Sequence, residues 1–387
     1  MAQYVINQYK GLFKRAEELY YEQKYRDCVP LFQQVVDNDK ENYAACYFLA
    51  DCLYYGKGTP KDIKKAFQLF MMAATNKITD ACFMVGLCYL EGNGIYQDLT
   101  QSVAWFTEAA RYAHPLSQYY LGCAYMNGTG INKDIPRAAQ WLVHAAKQGV
   151  VEAQREAAIC YELLKKYKGA ATLFLSGAEA GDPFCQEKIA DYYADGLGIL
   201  QCTELAVHYY ELAANQGNVN AQVKMANRYA KGAGVPQSTK NAVFWWLKAA
   251  QAGHAEAQNA IAECYATGNG VYKNYETAMQ WWNKAANQGN LTAMLHLAEN
   301  LTLPSSEEIE PDLVTAKYWW TKAAEAGDSY AMYRMGEIFE KGIGNVQVSL
   351  EDAFSWYRLA SQNGSEEATE ACKKFKKGIT GKIKIKK

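Results

Sequence analysis

The chain has 387 residues and a formal net charge of −1, and half of its residues are hydrophobic. This composition excludes an intrinsically disordered chain, because disordered chains contain too little apolar surface to fold. The near-zero net charge gives no general attraction to nucleic acid or to membranes. Neither a secretion leader nor a run of about 18 apolar residues is visible, so we expect a soluble, cytoplasmic protein without a transmembrane segment.

The first 42 residues predict a helical hairpin that caps the amino end. From Gly11 to Asn42 the apolar residues recur at helical spacing in two short runs. The length of this stretch is close to the roughly 34 residues of a tetratricopeptide repeat. We therefore expect residues 1–42 to form a tetratricopeptide-like hairpin.

From residue 43 onward the chain repeats a unit of 36 residues, seen most clearly in Asn218–Gly253 and His254–Gly289. Each unit has apolar residues at helical spacing, a Gly-x-Gly turn, a second helical run and a closing glycine. A hairpin this short cannot bury both of its faces, so each copy must be stabilised by stacking on the next. The Gly-x-Gly pairs are Gly56/Gly58, Gly92/Gly94, Gly128/Gly130, Gly196/Gly198, Gly232/Gly234, Gly268/Gly270 and Gly342/Gly344.

Two units depart from this pattern. In Val150–Gly181 the sequence YELLKKYKG replaces the Gly-x-Gly loop, which predicts a tight hairpin. In Asn290–Gly327 the sequence TLPSSEEIEPD predicts a longer acidic turn. We interpret the paired carboxylates of that turn, Glu307 and Glu308, as solvated loop residues.

The recurring pattern is A-x-x-x-[hydrophobic]-[G/A]-x-x-Y-x-x-G-x-G followed by A-x-x-W-[W/Y/F]-x-x-A-A-x-x-G. In this pattern the chain resembles the Sel-one-like repeats (SLR), relatives of the tetratricopeptide repeat, and residues 43–364 form the expected array. The resemblance implies an all-α fold, a right-handed α/α superhelical solenoid in which the first helix of each pair lines the concave side. With the repeat phase, it predicts about ten helical hairpins and no β-sheet.

Residues 365–387 predict a carboxyl-terminal capping helix followed by a lysine-rich tail. The helix SEEATEACKKFKK has acids at its start and lysines at its end, as the helix dipole favours. Eight lysines and no acid occur from Lys373 to Lys387. We interpret the tail as frayed and solvated; the alternative is a weak electrostatic contact with an acidic partner, RNA or a membrane surface.

The sequence contains no recognisable catalytic constellation. Phosphate-loop, zinc-protease, nucleophile-elbow and Cys-x-x-Cys motifs are missing, and the five histidines are scattered without ligand spacing. The repeated glycine loops lie between helices, which favours turn geometry over phosphate binding. The eleven cysteines lack the spacing for bridges, so we expect reduced core thiols. No catalytic, cofactor-binding or metal-binding residue is therefore predicted.

Three tryptophan doublets could stack nucleic-acid bases, but their phase predicts core packing. We expect the second member of each doublet to fill the helix interface within its hairpin and the first to face the next hairpin. Because no basic stripe accompanies them, we expect no nucleic-acid partner. The doublets are Trp245/Trp246, Trp281/Trp282 and Trp319/Trp320.

The first helices of the three amino-terminal SLR units carry a candidate binding groove. Aligned on the tetratricopeptide pattern, three positions of each helix face the concave side. Eight of the nine residues are apolar or aromatic, whereas the same positions of three central units hold mostly polar residues and alanine. This difference suggests a groove for an apolar or aromatic peptide segment; the alternative is that the superhelix curls tightly and buries these residues against each other. The nine residues are Tyr47, Asp51, Tyr54, Phe83, Leu87, Leu90, Tyr119, Cys123 and Met126.

We therefore expect a non-enzymatic scaffold or adaptor that binds a partner protein or peptide in this groove. Tyr47, Phe83 and Tyr119 occupy equivalent positions and would serve as aromatic anchors. One alternative is a secreted or envelope-associated bacterial effector built on the same repeats. A less favoured alternative is an unrecognised enzyme, which would need titratable residues brought together from several repeats.

Overall fold

The computed structural model describes residues 2–303, 311–344, 346–377 and 383–385, without the side chains of 2–8, 377 and 384. In these residues α-helices dominate, and the all-α repeat architecture is confirmed. The chain divides into two compact units, Met1–Cys202 and Thr203–Lys387. The turn residues Glu307 and Glu308 lie outside the described residues.

In the amino-terminal unit each helix packs against the next along the chain. Its helices are α1 (Ala2–Tyr21), α2 (Tyr25–Asn38), α3 (Tyr43–Tyr55), α4 (Ile63–Thr75), α5 (Thr79–Glu91), α6 (Leu99–Arg111), α7 (Pro115–Asn127), α8 (Ile135–Lys147), α9 (Val151–Leu163), α10 (Tyr167–Glu179) and α11 (Pro183–Asp195).

The carboxyl-terminal unit continues the helical pattern and ends with two short strands. Its helices are α12 (Thr203–Asn215), α13 (Val219–Lys231), α14 (Thr239–Gln251), α15 (Ala255–Thr267), α16 (Tyr275–Asn287), α17 (Leu291–Thr302), α18 (Leu313–Glu325), α19 (Ser329–Lys341), α20 (Leu350–Gln362) and α21 (Glu366–Lys373). The strands are β1 (Phe375–Lys377) and β2 (Ile383–Ile385).

Each Gly-x-Gly turn ends one helix and presses the loop against the preceding hairpin. Gly92 ends α5 in the left-handed conformation, with φ of 77°, and its N–H donates to Cys88 O. Gly94 also has a positive φ, and a Cβ there would lie 2.6 Å from Ile63 O. The second glycine is therefore required by close backbone approach as well as by its φ. Asp98 then begins α6 by accepting hydrogen bonds from backbone N–H groups of its first turn.

The predicted tight hairpin between residues 150 and 181 is confirmed. Only three residues separate Leu163, the end of α9, from Tyr167, the start of α10. Lys165 in this turn has a positive φ of 56°. The predicted amino-terminal helix pair corresponds to α1 and α2, and α1 begins at Ala2 rather than near Gly11.

The second tryptophan of each doublet packs against the core, as predicted, but to different depths. Trp282 and Trp320, the second members of their doublets, are fully buried. In α14, Trp245 is buried and Trp246 is half-buried. Trp246 packs against a hydrophobic cluster of α14 and α15, and its Nε1 donates a 3.2 Å hydrogen bond to Asn227 Oδ1 on α13, the first helix of its own hairpin.

Buried glutamines near the start of a first helix form hydrogen bonds with the carboxyl ends of neighbouring helices. These bonds connect successive repeats. In the carboxyl-terminal unit, Gln258 Nε2 donates to Ala250 O, and Gln258 Oε1 accepts a 2.7 Å hydrogen bond from Gln288. Gln222 occupies the equivalent position one repeat earlier, but the residue that would match Gln288 is Ala252. Gln222 Oε1 is consequently buried without a hydrogen-bond partner.

The last strands contradict two expectations, the absence of any β-sheet and a frayed tail. β1 and β2 pair antiparallel, with Phe375 opposite Ile385. Alternation along a strand places Ile383 and Ile385 on the same face as Phe375. That face packs on α20, where the Phe375 ring, 5% exposed, lies 5.8 Å from the Tyr357 ring. Ile383 on that face is half-buried and Ile385 keeps 45% of its surface exposed, so the Lys-Ile alternation supplies an apolar face that is only partly covered.

None of the eleven cysteines forms a disulfide, and eight of them are buried. Burial raises the pKa of Cys52 and Cys88 to about 12, so these thiols stay protonated near neutral pH. They contribute to the core as small apolar side chains.

Candidate functional site

The nine groove residues predicted from the sequence lie on α3, α5 and α7 of the amino-terminal unit, with unequal exposure. Two of them, Asp51 and Phe83, are buried, with 6% and 9% of their surface exposed. The other seven are half-buried, so part of each side chain is exposed. These seven are Tyr47, Tyr54, Leu87, Leu90, Tyr119, Cys123 and Met126.

Asp51 is held inside the protein by two partners. Its Oδ2 accepts a 2.6 Å hydrogen bond from Tyr20 Oη and lies 2.7 Å from Lys57 Nζ. The Lys57 ammonium also lies over the rings of Tyr20, Tyr25 and Tyr55, 5.0 to 5.7 Å from their centroids. Burial, followed by the hydrogen bond to Asp51, raises the pKa of Tyr20. Asp51 therefore connects α3 to α1, and its charge is neutralised by Lys57.

Phe83 belongs to an aromatic cluster that covers it. Its ring centroid lies 5.9 Å from Phe106, 4.8 Å from His114 and 5.8 Å from Tyr120. Phe106 and Tyr120 are themselves stacked, 5.1 Å apart. Phe83 thus packs between α6 and α7, while the equivalent Tyr119 remains half-buried.

Tyr54 links two successive repeats at the ends of their first helices. Asn93 Nδ2 donates to Tyr54 Oη over 2.9 Å and to Glu91 Oε2 over 2.6 Å. Tyr54 Oη lies 3.4 Å from the same carboxylate oxygen. Burial is the main cause that raises the pKa of Tyr54 to about 12. The Tyr54 hydroxyl is therefore neutral and is held in place beside Glu91.

A cleft of about 180 Å³ lies between α5, α6 and α7. Its walls are mainly apolar, and two of its lining residues, Leu90 and Cys123, belong to the predicted groove. Burial raises the pKa of Cys123 to about 11, which leaves a neutral thiol rather than a nucleophile. The residues that line the cleft include Leu90, Val103, Phe106, Tyr120, Cys123 and Asn127.

Sequence reasoning missed half of this cleft. Val103 and Phe106 lie on α6, a second helix, whereas the alignment selected positions on first helices only. Tyr120 directly follows the selected Tyr119 and points to the cluster with Phe106. The available signal was Phe106, an aromatic residue at a core position of α6.

The described part of the chain contains no group of three or more His, Cys, Asp or Glu side chains placed to hold a metal ion. Within that same part, no helix combines the length and the apolar character needed to cross a bilayer.

Comparison with known families and structures agrees with the repeat pattern. The family model described as Sel1 repeat matches eight segments of the chain, which coincide with the helix pairs from α3 to α20 except α9 and α10. The segments are 44–77, 79–111, 115–150, 183–218, 219–254, 255–290, 292–328 and 329–365. No curated protein matches the sequence.

Solved structures of similar proteins are also repeat proteins. The chain is similar to c5321, a protective antigen present in uropathogenic Escherichia coli strains displaying an SLR fold, with 26% identity and a TM-score of 0.75. That alignment covers 89% of this chain and 73% of the antigen. A Sel1 repeat protein from Oxalobacter formigenes is 25% identical over 88% of this chain and 89% of its own, with a TM-score of 0.46.

The unmatched parts are the hairpin α1 and α2, the shortened pair α9 and α10, and the chain from residue 366 onward. Of the remaining helix pairs, all except α17 and α18 carry a Gly-x-Gly turn. From these eight matched segments, the chain belongs to the Sel1 repeat family.

Proposed function

We propose that this protein is a non-catalytic scaffold that binds a partner protein or peptide along α3, α5 and α7. The observation that carries the proposal is the apolar cleft of about 180 Å³, whose lining includes the half-buried Leu90 and Cys123 of the predicted groove. Repeat arrays of this kind act as extended binding surfaces for other proteins. We place the protein in the cytoplasm and expect no nucleic-acid partner.

The cleft suits one anchor side chain of the partner. Burying a leucine or phenylalanine side chain contributes about 1.5 to 3 kcal/mol. Half-buried Tyr47, Leu87 and Tyr119 would add contact area around that anchor without loss of their own core packing. A few such residues commonly supply most of the affinity of an interface.

A second candidate function follows from the likeness to the c5321 antigen. That similar protein is described as a protective antigen present in uropathogenic strains. The same role for this chain would make it a secreted or envelope-associated effector. Immunoblotting of culture medium, envelope and cytoplasm from the native host, with a cytoplasmic enzyme as lysis control, separates the two. Recovery in the medium without the control enzyme would replace the cytoplasmic assignment.

Selection of peptides from a random library on the full chain tests the scaffold proposal. We expect enriched peptides that share an aromatic or aliphatic anchor and that lose affinity for Tyr119→Ala. The matched control is Tyr112→Ala, because Tyr112 is 53% exposed and lies outside the groove set. Failure to enrich any peptide, or equal losses for both variants, would contradict binding at this surface.

A further inference from the structure

From α3 onward the first helices of the amino-terminal unit are acidic as a set, whereas α1 carries three basic and two acidic residues. Five of them, α3, α5, α7, α9 and α11, together carry nine Asp and Glu residues and two basic residues, Arg155 and Lys188. The second helices α4, α6, α8 and α10 carry two acidic and six basic residues. Charge is therefore segregated between the two sets of helices within one unit.

This segregation is specific to the amino-terminal unit. In the carboxyl-terminal unit, the first helices α13, α15, α17 and α19 carry five acidic and five basic residues. The repeat architecture is the same in both units, so the repeat itself does not demand acidic first helices. The acidity of the amino-terminal set requires another explanation.

Internal ion pairs neutralise only part of this charge. Asp51 is paired with Lys57, Glu156 lies 3.3 Å from Arg155, and Glu162 lies 3.5 Å from Lys188. The two basic residues of the five helices are both used in these pairs. Among the described residues, the exposed Glu91 and Glu152 form no ion pair, so these two carboxylates remain uncompensated.

Carboxylates lie close to the apolar cleft on both sides. Glu91 is exposed at the end of α5 and acts electrostatically on Tyr120, which lines the cleft. Glu156 acts on Cys123, another lining residue, and both Glu156 and the exposed Glu152 act on Tyr119. The cleft is thus an apolar depression within an acidic surface.

We propose that this face binds a cationic peptide segment in which Lys or Arg residues flank one aromatic or leucine side chain seated in the cleft between α5, α6 and α7. This inference rests on the proposed scaffold function and names the chemistry of its partner. An apolar cavity of about 150 Å³ accommodates a benzene ring, so a cleft of about 180 Å³ accommodates a phenylalanine ring. Lysine and arginine on either side complement the carboxylates.

Three fluorescein-labelled peptides test this on the full chain by fluorescence anisotropy. The first has four lysines around a central phenylalanine, the second replaces phenylalanine with alanine, and the third replaces the lysines with glutamate. We expect the first peptide to bind at least roughly tenfold more tightly than either other peptide. Its affinity should also fall as salt is raised, because salt screens exposed charges.

A matched pair of charge reversals locates the electrostatic contribution. Glu152→Lys and Glu179→Lys make the same exposed charge change in one helix pair, on first helix α9 and second helix α10 respectively. We expect Glu152→Lys to weaken binding of the cationic peptide roughly fivefold and Glu179→Lys to change it by less than about twofold. Equal effects would overturn the assignment to the first-helix face.

Filling the cleft tests whether the phenylalanine of the peptide binds there. Ala124→Leu should occupy part of the space and abolish the advantage of phenylalanine over alanine in the peptide. If this variant fails to fold, Asn127→Trp at the exposed rim of the cleft makes the same test, because Asn127 is not in the core. A preserved preference for phenylalanine in the folded variant would overturn the cleft as its site.

Library selection separates failure of this inference from failure of the scaffold function. Enriched peptides that are acidic or uncharged, yet depend on Tyr119, would overturn the cationic partner and leave the scaffold intact. Enrichment of basic peptides with one apolar anchor would support both. A library that yields no binder would overturn both.

Discussion

Gln288 Nε2 donates a 2.7 Å hydrogen bond to Gln258 Oε1, and this bond satisfies a buried acceptor between two helices of one repeat. One repeat earlier, Gln222 Oε1 lacks such a donor because Ala252 occupies the matching position. A buried acceptor without a partner costs about 1 to 3 kcal/mol. The repeat therefore contains a defect that a single substitution can correct.

Ala252→Gln should stabilise the protein by about 1 kcal/mol, since it supplies the missing donor from an exposed helix end. The measurement is urea unfolding followed by circular dichroism. Ala326→Gln is the matched control, because Ala326 ends α18 in the same conformation and the corresponding first-helix residue is Met294, which offers no amide oxygen. A gain of the same size in both variants would point to helix propensity instead.

Phe375→Ala should destabilise the carboxyl-terminal unit by about 3 to 5 kcal/mol, because a buried phenylalanine is lost from its contact with Phe354 and Tyr357. Thermal unfolding of the full chain measures the change. Lys376→Ala serves as control, since Lys376 is exposed on the other face of the strand and should stay within about 0.5 kcal/mol of the parent. Equal melting of both variants would mean that the hairpin adds no stability.

The repeat phase was predictable because it depends on short-range signals. Gly-x-Gly turns, caps such as Asp98 and apolar spacing each act within one or two helical turns. The carboxyl-terminal strands were missed for the opposite reason. Eight lysines suggested solvation, while the alternating Ile383 and Ile385 find their apolar partner Phe375 only through the hairpin.

The location of the groove stays a prediction, and the different exposure of its residues could not be predicted from the sequence. Tyr47, Phe83 and Tyr119 share one register, and the sequence treats them alike. Only packing distinguishes them, since Tyr120 on α7 and His114, which caps α7, cover Phe83. No pattern within α5 specifies that cover.

The stability of the carboxyl-terminal unit should depend on pH through Glu263. A hydrogen bond with His296 is the main cause that holds the pKa of Glu263 below its ordinary value of 4.5. A carboxyl whose pKa is lowered by folding stabilises the protein above its unfolded pKa, and that contribution is lost as pH falls through the folded pKa. Because the Glu263 side chain is 49% exposed, the contribution is only a few tenths of a kcal/mol to about 1 kcal/mol.

Melting curves of the parent and of Glu263→Gln check this dependence. The parent should melt higher at about pH 6, and the difference should vanish as pH falls well below 4.5. In a His296→Gln background the same substitution should have a smaller pH-dependent effect, because only the hydrogen bond from Asn259 still favours the Glu263 carboxylate. A difference that persists at acidic pH would exclude the Glu263 and His296 pair as its origin.

The three equivalent aromatic residues of the proposed groove should respond differently to truncation. Phe83→Ala should cost about 3 to 5 kcal/mol of stability, because its ring is buried against Phe106, His114 and Tyr120. Its affinity per folded molecule for a selected peptide should change little, since the ring offers almost no surface.

Tyr119→Ala and Tyr47→Ala should show the reverse pattern. Both side chains are half-buried, so truncation removes surface that a partner contacts and should weaken binding by about 2 kcal/mol at a hot spot. Their melting temperatures should fall less than that of Phe83→Ala. Titration calorimetry of each variant with the selected peptide, corrected for the folded fraction, gives both quantities. If Tyr119→Ala melts as low as Phe83→Ala and binds normally once folded, these residues are core side chains and the groove must lie elsewhere.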